Sequence, residues 1–593
     1  MLQILCVSKK RGTIFPSLQR RGGRAIKEKN PFRHGTDGVV AHRNTVRERP
    51  PRLRLPRWLR SILLMAQPPL LSEEGNTLGQ SAHIFFGGHR PPLQFMVLAL
   101  FLLTAPSALA ASCESLAGLK LPDSTITLAQ TIAAGAFTPP AGARGAGGPA
   151  AVLRDLPEFC RVAATLRPST DSDIKIEVWL PASGWNGKFE ANGNGGWTGN
   201  IPYAALAIAL RRGYATAATD TGHEGGSGSF ALGHPEKLID FAYRAVHEMT
   251  VQSKAIIAAY YGNNPKFSYW NGCSSGGKQG LKEAQRFPED YDGIIAGAPA
   301  NYWTHLTSAA AWIGQAVNKT ESSYIPPTKY SLIHDAAVQA CDSQDGLKDG
   351  LISNPMSCKF DPKVLECKDG DAATCLTSAQ VETARVMYSP ILNRRTKEPL
   401  LPGFEPGSET GWGIVAGHQP TSLGIDHWKY VVFKDPNWDY KTLNFDSDIA
   451  LADKQDNGSI NAIDPNLKPF LSRGGKLLQY HGWSDQLIPP QSSVNYYKSV
   501  LDALGGAGKV RDSYRLFMAP GVAHCAGGDG PSNFDMLTAL EQWVENGKAP
   551  DQITASQVTN DKVDRTRPLC PYPQAATYKG TGSIDDAANF VCK

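Results

Sequence analysis

Phe267-Ser268-Tyr269-Trp270-Asn271-Gly272-Cys273-Ser274-Ser275-Gly276 sets an apolar run, a glycine, a serine and a second glycine in close succession. The run Phe267–Asn271 has the length and character of a buried strand, and the residues from about Gly276 to Arg286 have helical spacing. Strand, Gly-x-Ser-x-Gly, helix is the nucleophile-elbow arrangement. The glycines permit a tight turn that side chains would block, so the Ser274 hydroxyl stands above the strand end. The free N–H groups at the start of the helix point where an oxyanion would form. The pattern alone is weak in a chain with 58 glycines; its position directly after an apolar strand gives it weight.

Outward from this turn, strand-like and helical segments alternate. Ile174–Leu180, Lys188–Ala191 and Ala215–Thr219 read as strands, Lys237–Ala259 as an amphipathic helix, and Ile294–Ala296 as a further strand. Near residue 302 the character changes: to about 461 there are four cysteines, many Pro and Asp residues, and no clear period. The alternation then resumes with Lys476–Tyr480 (strand), Ser492–Leu504 (helix), Ser513–Met518 (strand) and Asn533–Glu545 (helix). This predicts an α/β protein with a mostly parallel sheet, interrupted by an insertion over the sheet's carboxyl edge, where open α/β sheets bind ligands.

A serine nucleophile needs a base, and the base needs an acid to orient it. In an α/β-hydrolase fold these follow in the order Ser, acid, His. Asp485 lies just past the strand Lys476–Tyr480, within His481-Gly482-Trp483-Ser484-Asp485, and His524 lies just past the strand ending at Met518. His481 is the rival base, disfavoured because no acid follows to orient it. Cys273 precedes the serine and Cys525 follows His524, so contact between Ser274 and His524 would bring these two sulfurs within disulfide range.

The ends of the chain differ in charge. Residues 1–110 carry 17 Lys+Arg against 5 Asp+Glu, whereas the remainder carries 43 against 50. The mildly acidic remainder gives no argument for nucleic-acid binding. Residues 96–110 form a short apolar run ending Ala108-Leu109-Ala110, which predicts a cleaved signal peptide and a secreted or periplasmic protein with no membrane anchor after cleavage. Residues 1–95 read as an unstructured extension, with Met65 and Met96 as alternative starts. Beyond the leader there are ten cysteines, an even number suited to an oxidising compartment: Cys113, Cys160, Cys273, Cys341, Cys358, Cys367, Cys375, Cys525, Cys570 and Cys592. Cys341/Cys358, Cys367/Cys375 and Cys570/Cys592 are close pairs. Asn318 and Asn457 lie in N-glycosylation sequons.

The chain resembles the tannase and feruloyl esterase family, which includes a mono(2-hydroxyethyl) terephthalate hydrolase. The resemblance rests on Cys273-Ser274, Asp485 and His524-Cys525, and extends through Thr219–His223, Phe241–His247, Asp292–Ala300 and Pro406–Glu409. It implies an α/β-hydrolase catalytic domain at 111–301 and 462–593, with a lid domain at 302–461. It also implies a structural calcium ion in the lid, on the carboxylates of Asp342, Asp345 and Asp349 and the carbonyls of Leu347 and Leu351. No organic cofactor is expected. The oxyanion donors are expected at Ser275 and in the loop Gly193-Asn194-Gly195-Gly196, with Gly195 favoured. The implied substrates are small esters of aromatic acids: feruloyl, galloyl or terephthalate-monoester. Trp303, Trp312, Trp412 and Trp428 are candidates either to stack on the acyl group or to form lid core. A serine peptidase on the same scaffold and a catalytically silent binding protein are the alternatives.

Overall fold

The computed structural model describes residues 112–140 and 150–593, so the leader read from residues 1–110 lies outside the described residues. Nine strands form one sheet: β1 (Ser124–Ile132), β2 (Phe159–Leu166), β3 (Ile174–Pro181), β4 (Lys188–Asn192), β5 (Ala215–Thr219), β6 (Phe267–Cys273), β7 (Gly293–Gly297), β8 (Lys476–Gly482) and β9 (Tyr514–Ala519). Their order across the sheet is β1-β2-β3-β5-β4-β6-β7-β8-β9. From β5 through β9 every pairing is parallel, while β1, β2, β3 and β5 pair antiparallel. Five of the eight pairings are parallel, so the sheet is mostly parallel as the alternation predicts, with an antiparallel edge that the alternation does not.

The central strands are apolar because both faces are covered. Tyr269, Trp270, Ile294, Leu477 and Leu478 have no exposed surface. One face packs against α2 (Ala245–Tyr261), α3 (Ser275–Arg286) and α7 (Gln491–Leu504); the other packs against α1 (Tyr203–Arg211) and α8 (Met536–Asn546). The helix read over 237–259 is interrupted. A single π-helical turn at Asp240–Arg244 precedes α2, and there the fully buried Asp240 carboxylate accepts from Arg244 Nε at 2.6 Å and Ser172 Oγ at 3.2 Å. A π turn of this kind places one extra residue in the helix, and the Asp240–Arg244 ion pair spans it.

Between β7 and β8 the chain leaves the sheet for 178 residues. This segment contains α4 (Trp303–Val317), α5 (Tyr330–Cys341), α6 (Ser378–Tyr388) and a short hairpin pairing Ile391–Leu392 with Pro399–Leu401. Helix α4 is its spine. Ile313 and Val317 join a core with Ile333, Val381 and Trp412, while Ala310 and Ala311 join a second core with Ile425, Trp428 and Phe445. Trp303, at the start of the same helix, packs instead with Trp197, Phe241 and Ile488 beside the sheet. The inserted segment is thus anchored by the first turn of α4 at the carboxyl ends of the strands.

Among the described residues five disulfides join Cys113–Cys160, Cys273–Cys525, Cys341–Cys358, Cys367–Cys375 and Cys570–Cys592. Among the described residues no helix is long and apolar enough to cross a membrane.

Candidate active site

Ser274 sits between β6 and α3 with φ 64° and ψ −123°, a conformation rare for a residue with a side chain. Backbone strain of this kind costs about 1–3 kcal/mol and persists only where its surroundings enforce it. Here the enforcement is visible. The Ser274 N–H donates to the Gly297 carbonyl at 2.9 Å, and the Ser274 carbonyl accepts from the N–H groups of Lys278 and Ala300. A Cβ on Gly272 would lie 2.5 Å from the Gly276 carbonyl oxygen, so the strand and the first turn of α3 approach as closely as they do only because no side chain is there.

The loop carrying Gly193–Gly196 is pinned against α3. Asn194 N–H donates to Gln279 Oε1 at 3.1 Å, and Asn194 Nδ2 donates to the Thr219 carbonyl at 2.9 Å. Ser275 Oγ donates to the Gly196 carbonyl at 2.9 Å, closing the loop over the helix start. Gly196, rather than the favoured Gly195, borders the cavity beside Ser274 and Ser275.

Asp485 and His524 are brought together by adjacent parallel strands. Asp485 follows β8, His524 follows β9, and His524 Nδ1 lies 2.7 Å from Asp485 Oδ2. Asp485 has no exposed side-chain surface. Burial alone would push its pKa up; the His524 charge and hydrogen bonds from His481 and His524 outweigh burial and hold it well below the usual carboxylate range. Its other oxygen, Oδ1, accepts from the N–H groups of Leu487 at 2.7 Å and Ile488 at 2.9 Å. The His524 N–H donates to Gln486 Oε1 at 3.2 Å. Gln486, Leu487 and Ile488 escaped the sequence reading because two of them act through backbone groups, which leave no mark in residue type.

The Cys273–Cys525 disulfide joins the neighbours of Ser274 and His524, with Cα atoms 6.0 Å apart. Cys525 also has positive φ, 65°, so the backbone is turned sharply on both sides of the bridge. Among the described residues the His524 imidazole is hydrogen-bonded to Asp485 and not to the Ser274 hydroxyl. Such contacts are commonly long in a free enzyme and tighten when substrate binds.

A cavity of about 600 Å³, including its mouth, opens over Ser274. Its floor is Gly196, Ser274 and Ser275; Trp303, Leu306 and Ile313 from α4, together with Phe404, Leu423 and Leu487, form its walls. Among the described residues no charged side chain lines it, and its polar side chains away from the floor are Thr307, Thr421 and Trp303, whose indole N–H has no hydrogen-bond partner. Of the four candidate tryptophans, Trp303 faces this cavity, whereas Trp412 and Trp428 are fully buried in the insertion and Trp312 packs there half-buried.

The profile of the family described as tannase and feruloyl esterase matches residues 160–593. The chain belongs to the tannase and feruloyl esterase family. An uncharacterised esterase of Xanthomonas campestris is 39% identical over 544 residues, covering 83% of this chain and 92% of that protein. A probable feruloyl esterase B-2 of Neosartorya fischeri is 35% identical, covering 84% and 99%. The crystal structure of feruloyl esterase B from Aspergillus oryzae superposes with a TM-score of 0.77 at 34% identity, over 82% of this chain and all of that one. A tannin acyl hydrolase from Aspergillus niger shares the fold, with a TM-score of 0.66 at 22% identity over 80% and 92%. The α/β-hydrolase fold and the family resemblance read from the sequence are both borne out, and this family member is a carboxylic ester hydrolase.

The proposed calcium ligands lie on one loop after α5. Asp342 accepts from the N–H groups of Asp349 and Gly350, each at 3.1 Å, and Asp345 accepts from Leu347 N–H at 2.9 Å and Ser353 Oγ at 2.6 Å. Asp349 Oδ2 is paired with Arg567 Nη2 at 2.5 Å. Three carboxylates and nearby carbonyls suit calcium in kind. Their convergence is incomplete, since oxygens of all three carboxylates do not gather within 4.8 Å of one another. Asp349 is shared between this loop and Arg567.

Proposed function

We propose that this family member is an exported serine esterase that hydrolyses esters of ferulate-type hydroxycinnamic acids through an acyl-enzyme. The observation that carries the reading is an apolar cavity whose floor holds a strained serine, with a buried aspartate and the partly buried histidine it binds, tied to the adjoining backbone by a disulfide. In the proposed reaction, Ser274 Oγ attacks the ester carbonyl while its proton passes to His524 Nε2. Asp485 keeps Nδ1 protonated and stabilises the imidazolium. The developing oxyanion takes hydrogen bonds from Ser275 N–H and from the Gly195–Gly196 segment. His524 then protonates the departing alkoxide, and water, deprotonated in turn by His524, releases the acid.

The acyl preference follows from what the walls lack. The free carboxylate of a terephthalate monoester would enter a cavity with no cation to meet it, an unfavourable burial of charge. The three hydroxyls of a galloyl group would find only Thr307, Thr421 and the indole N–H of Trp303. A methoxylated ring with one hydroxyl loses least on entry. Methyl ferulate, methyl gallate and a terephthalate monoester, assayed side by side, test this. The expected order of kcat/KM is ferulate first and terephthalate monoester last, and a preference for the terephthalate ester would overturn the assignment.

Export accords with five disulfides in one chain. Calcium, where bound, would be held by Asp342, Asp345 and Asp349 with the carbonyls of Leu347 and Leu351. It would neutralise like charges and brace the loop, taking no part in the chemistry.

A further inference from the structure

Asp485 Oδ2 receives two imidazoles, not one. Besides His524 Nδ1 at 2.7 Å, His481 Nε2 lies 3.0 Å from the same oxygen. His481 is the penultimate residue of β8, four positions before Asp485, and has no exposed side-chain surface. Its Nε2 also lies 3.1 Å from the Ile488 carbonyl, and its Nδ1 lies 2.7 Å from Ser493 Oγ on α7. Both neighbours of Nε2 are oxygens that only accept, so Nε2 carries a proton, which fixes the tautomer. The Ser493 hydroxyl rotates to serve Nδ1 in either state.

From this arrangement we infer that His481 is a positioning residue, whose Nε2–H occupies the second lone pair of Asp485 Oδ2 and so fixes the direction and limits the basicity of the acid that serves His524. The inference rests on the triad reading above. With Leu487 and Ile488 N–H on Oδ1 and the two imidazoles on Oδ2, all four in-plane lone pairs of the carboxylate are engaged. Such a carboxylate has no free direction in which to swing, and it shares its charge between two rings rather than concentrating it on one. The titratable groups facing Asp485 are His481 and Tyr480 from β8 and His524 from the segment after β9. Removing the His481 donor leaves Oδ2 to His524 alone, which favours the imidazolium and moves the acid limb of catalysis to higher pH.

The test compares His481→Leu, His481→Gln and Ser274→Ala with the intact enzyme on methyl ferulate across pH. His481→Leu is expected to lower kcat by about 10- to 100-fold, the range typical of groups that orient a functional ligand, with KM little changed. Its acid limb in kcat/KM is expected to rise by on the order of one pH unit. His481→Gln, whose amide retains an N–H donor, is expected to recover most of both effects. A folded His481→Leu enzyme with an unmoved acid limb overturns the inference, whatever its kcat. If that variant does not fold, ¹⁵N-histidine spectra of the intact enzyme decide: a protonated Nε2 on His481 from pH 5 to 9 supports it, and an unprotonated Nε2 overturns it. Ser274→Ala separates the two readings. Its inactivity leaves the triad standing while His481 is judged, whereas retained activity removes the triad itself.

Discussion

Cys273 and Cys525 stand 252 positions apart in the chain and are joined by a disulfide, each immediately beside a residue of the candidate catalytic pair. The bridge links the last residue of β6 to the segment after β9, across the two intervening strands of the sheet. Ser274 and His524 are therefore not held in register by packing alone.

Replacing both cysteines, Cys273→Ala with Cys525→Ala, is expected to cost stability and activity separately. Closing so long a loop contributes on the order of 5 kcal/mol in the chain-entropy picture, and native disulfides typically contribute about 2–5. Urea unfolding should show a lower midpoint. At temperatures where the variant remains folded, kcat should still fall, because His524 gains freedom relative to Ser274. A variant with reduced stability and unchanged kcat would assign the bridge a structural role only.

His334 on α5 ties the insertion to the loop after His524. Its Nδ1 lies 3.0 Å from Glu409 Oε2 and its Nε2 lies 3.2 Å from Asp529 Oδ2. Hydrogen bonds to Asp529 and Glu409 raise its pKa to about 10, against the opposing effect of burial. Because the folded value lies above the ordinary 6.5, the stabilisation is fully present below pH 6.5 and is lost as pH rises through about 10. Thermal melting from pH 6 to 10 should show this decline, and His334→Gln should flatten it.

Ala309 on α4 borders the cavity and is only partly buried. Ala309→Phe is expected to narrow the acyl site, lowering kcat/KM for methyl ferulate roughly tenfold, about 1.4 kcal/mol, while sparing a small acetate ester. Equal losses on both esters would place the acyl group elsewhere.

Chelation tests the calcium loop. Dialysis against EDTA is expected to lower the melting temperature, and Asp342→Asn should abolish that response while leaving kcat of the folded enzyme close to its original value. An unchanged melting temperature would leave Arg567 as the cation that answers Asp349.

What the sequence made legible is what local chemistry dictates. The turn at Ser274 was readable because glycine on both sides of a serine, after an apolar strand, has few other uses. Asp485 and His524 were readable because each ends an apolar strand in the expected order. Strands β1 and β2 are not legible in the sequence. β1 lies at the sheet edge and buries none of its residues fully, so its side chains carry little apolar signal. Helices α5 and α6 were hidden because the cysteines, prolines and aspartates between them obscure the period. By residue type and position His481 reads only as a rival base. Its bond to Asp485 depends on the turn at Gly482–Ser484 folding the acid back onto the strand, a relation of shape rather than of residue type.

The most direct test of the central claim is to quench the reaction with a slowly deacylating aromatic ester and locate the acyl group by mass spectrometry of the digested protein. One acyl unit on Ser274, absent from Ser274→Ala, which should lose turnover by on the order of 10⁶-fold, is the predicted result. An acyl group on another residue, or Ser274→Ala turning over substrate at an undiminished rate, would contradict it.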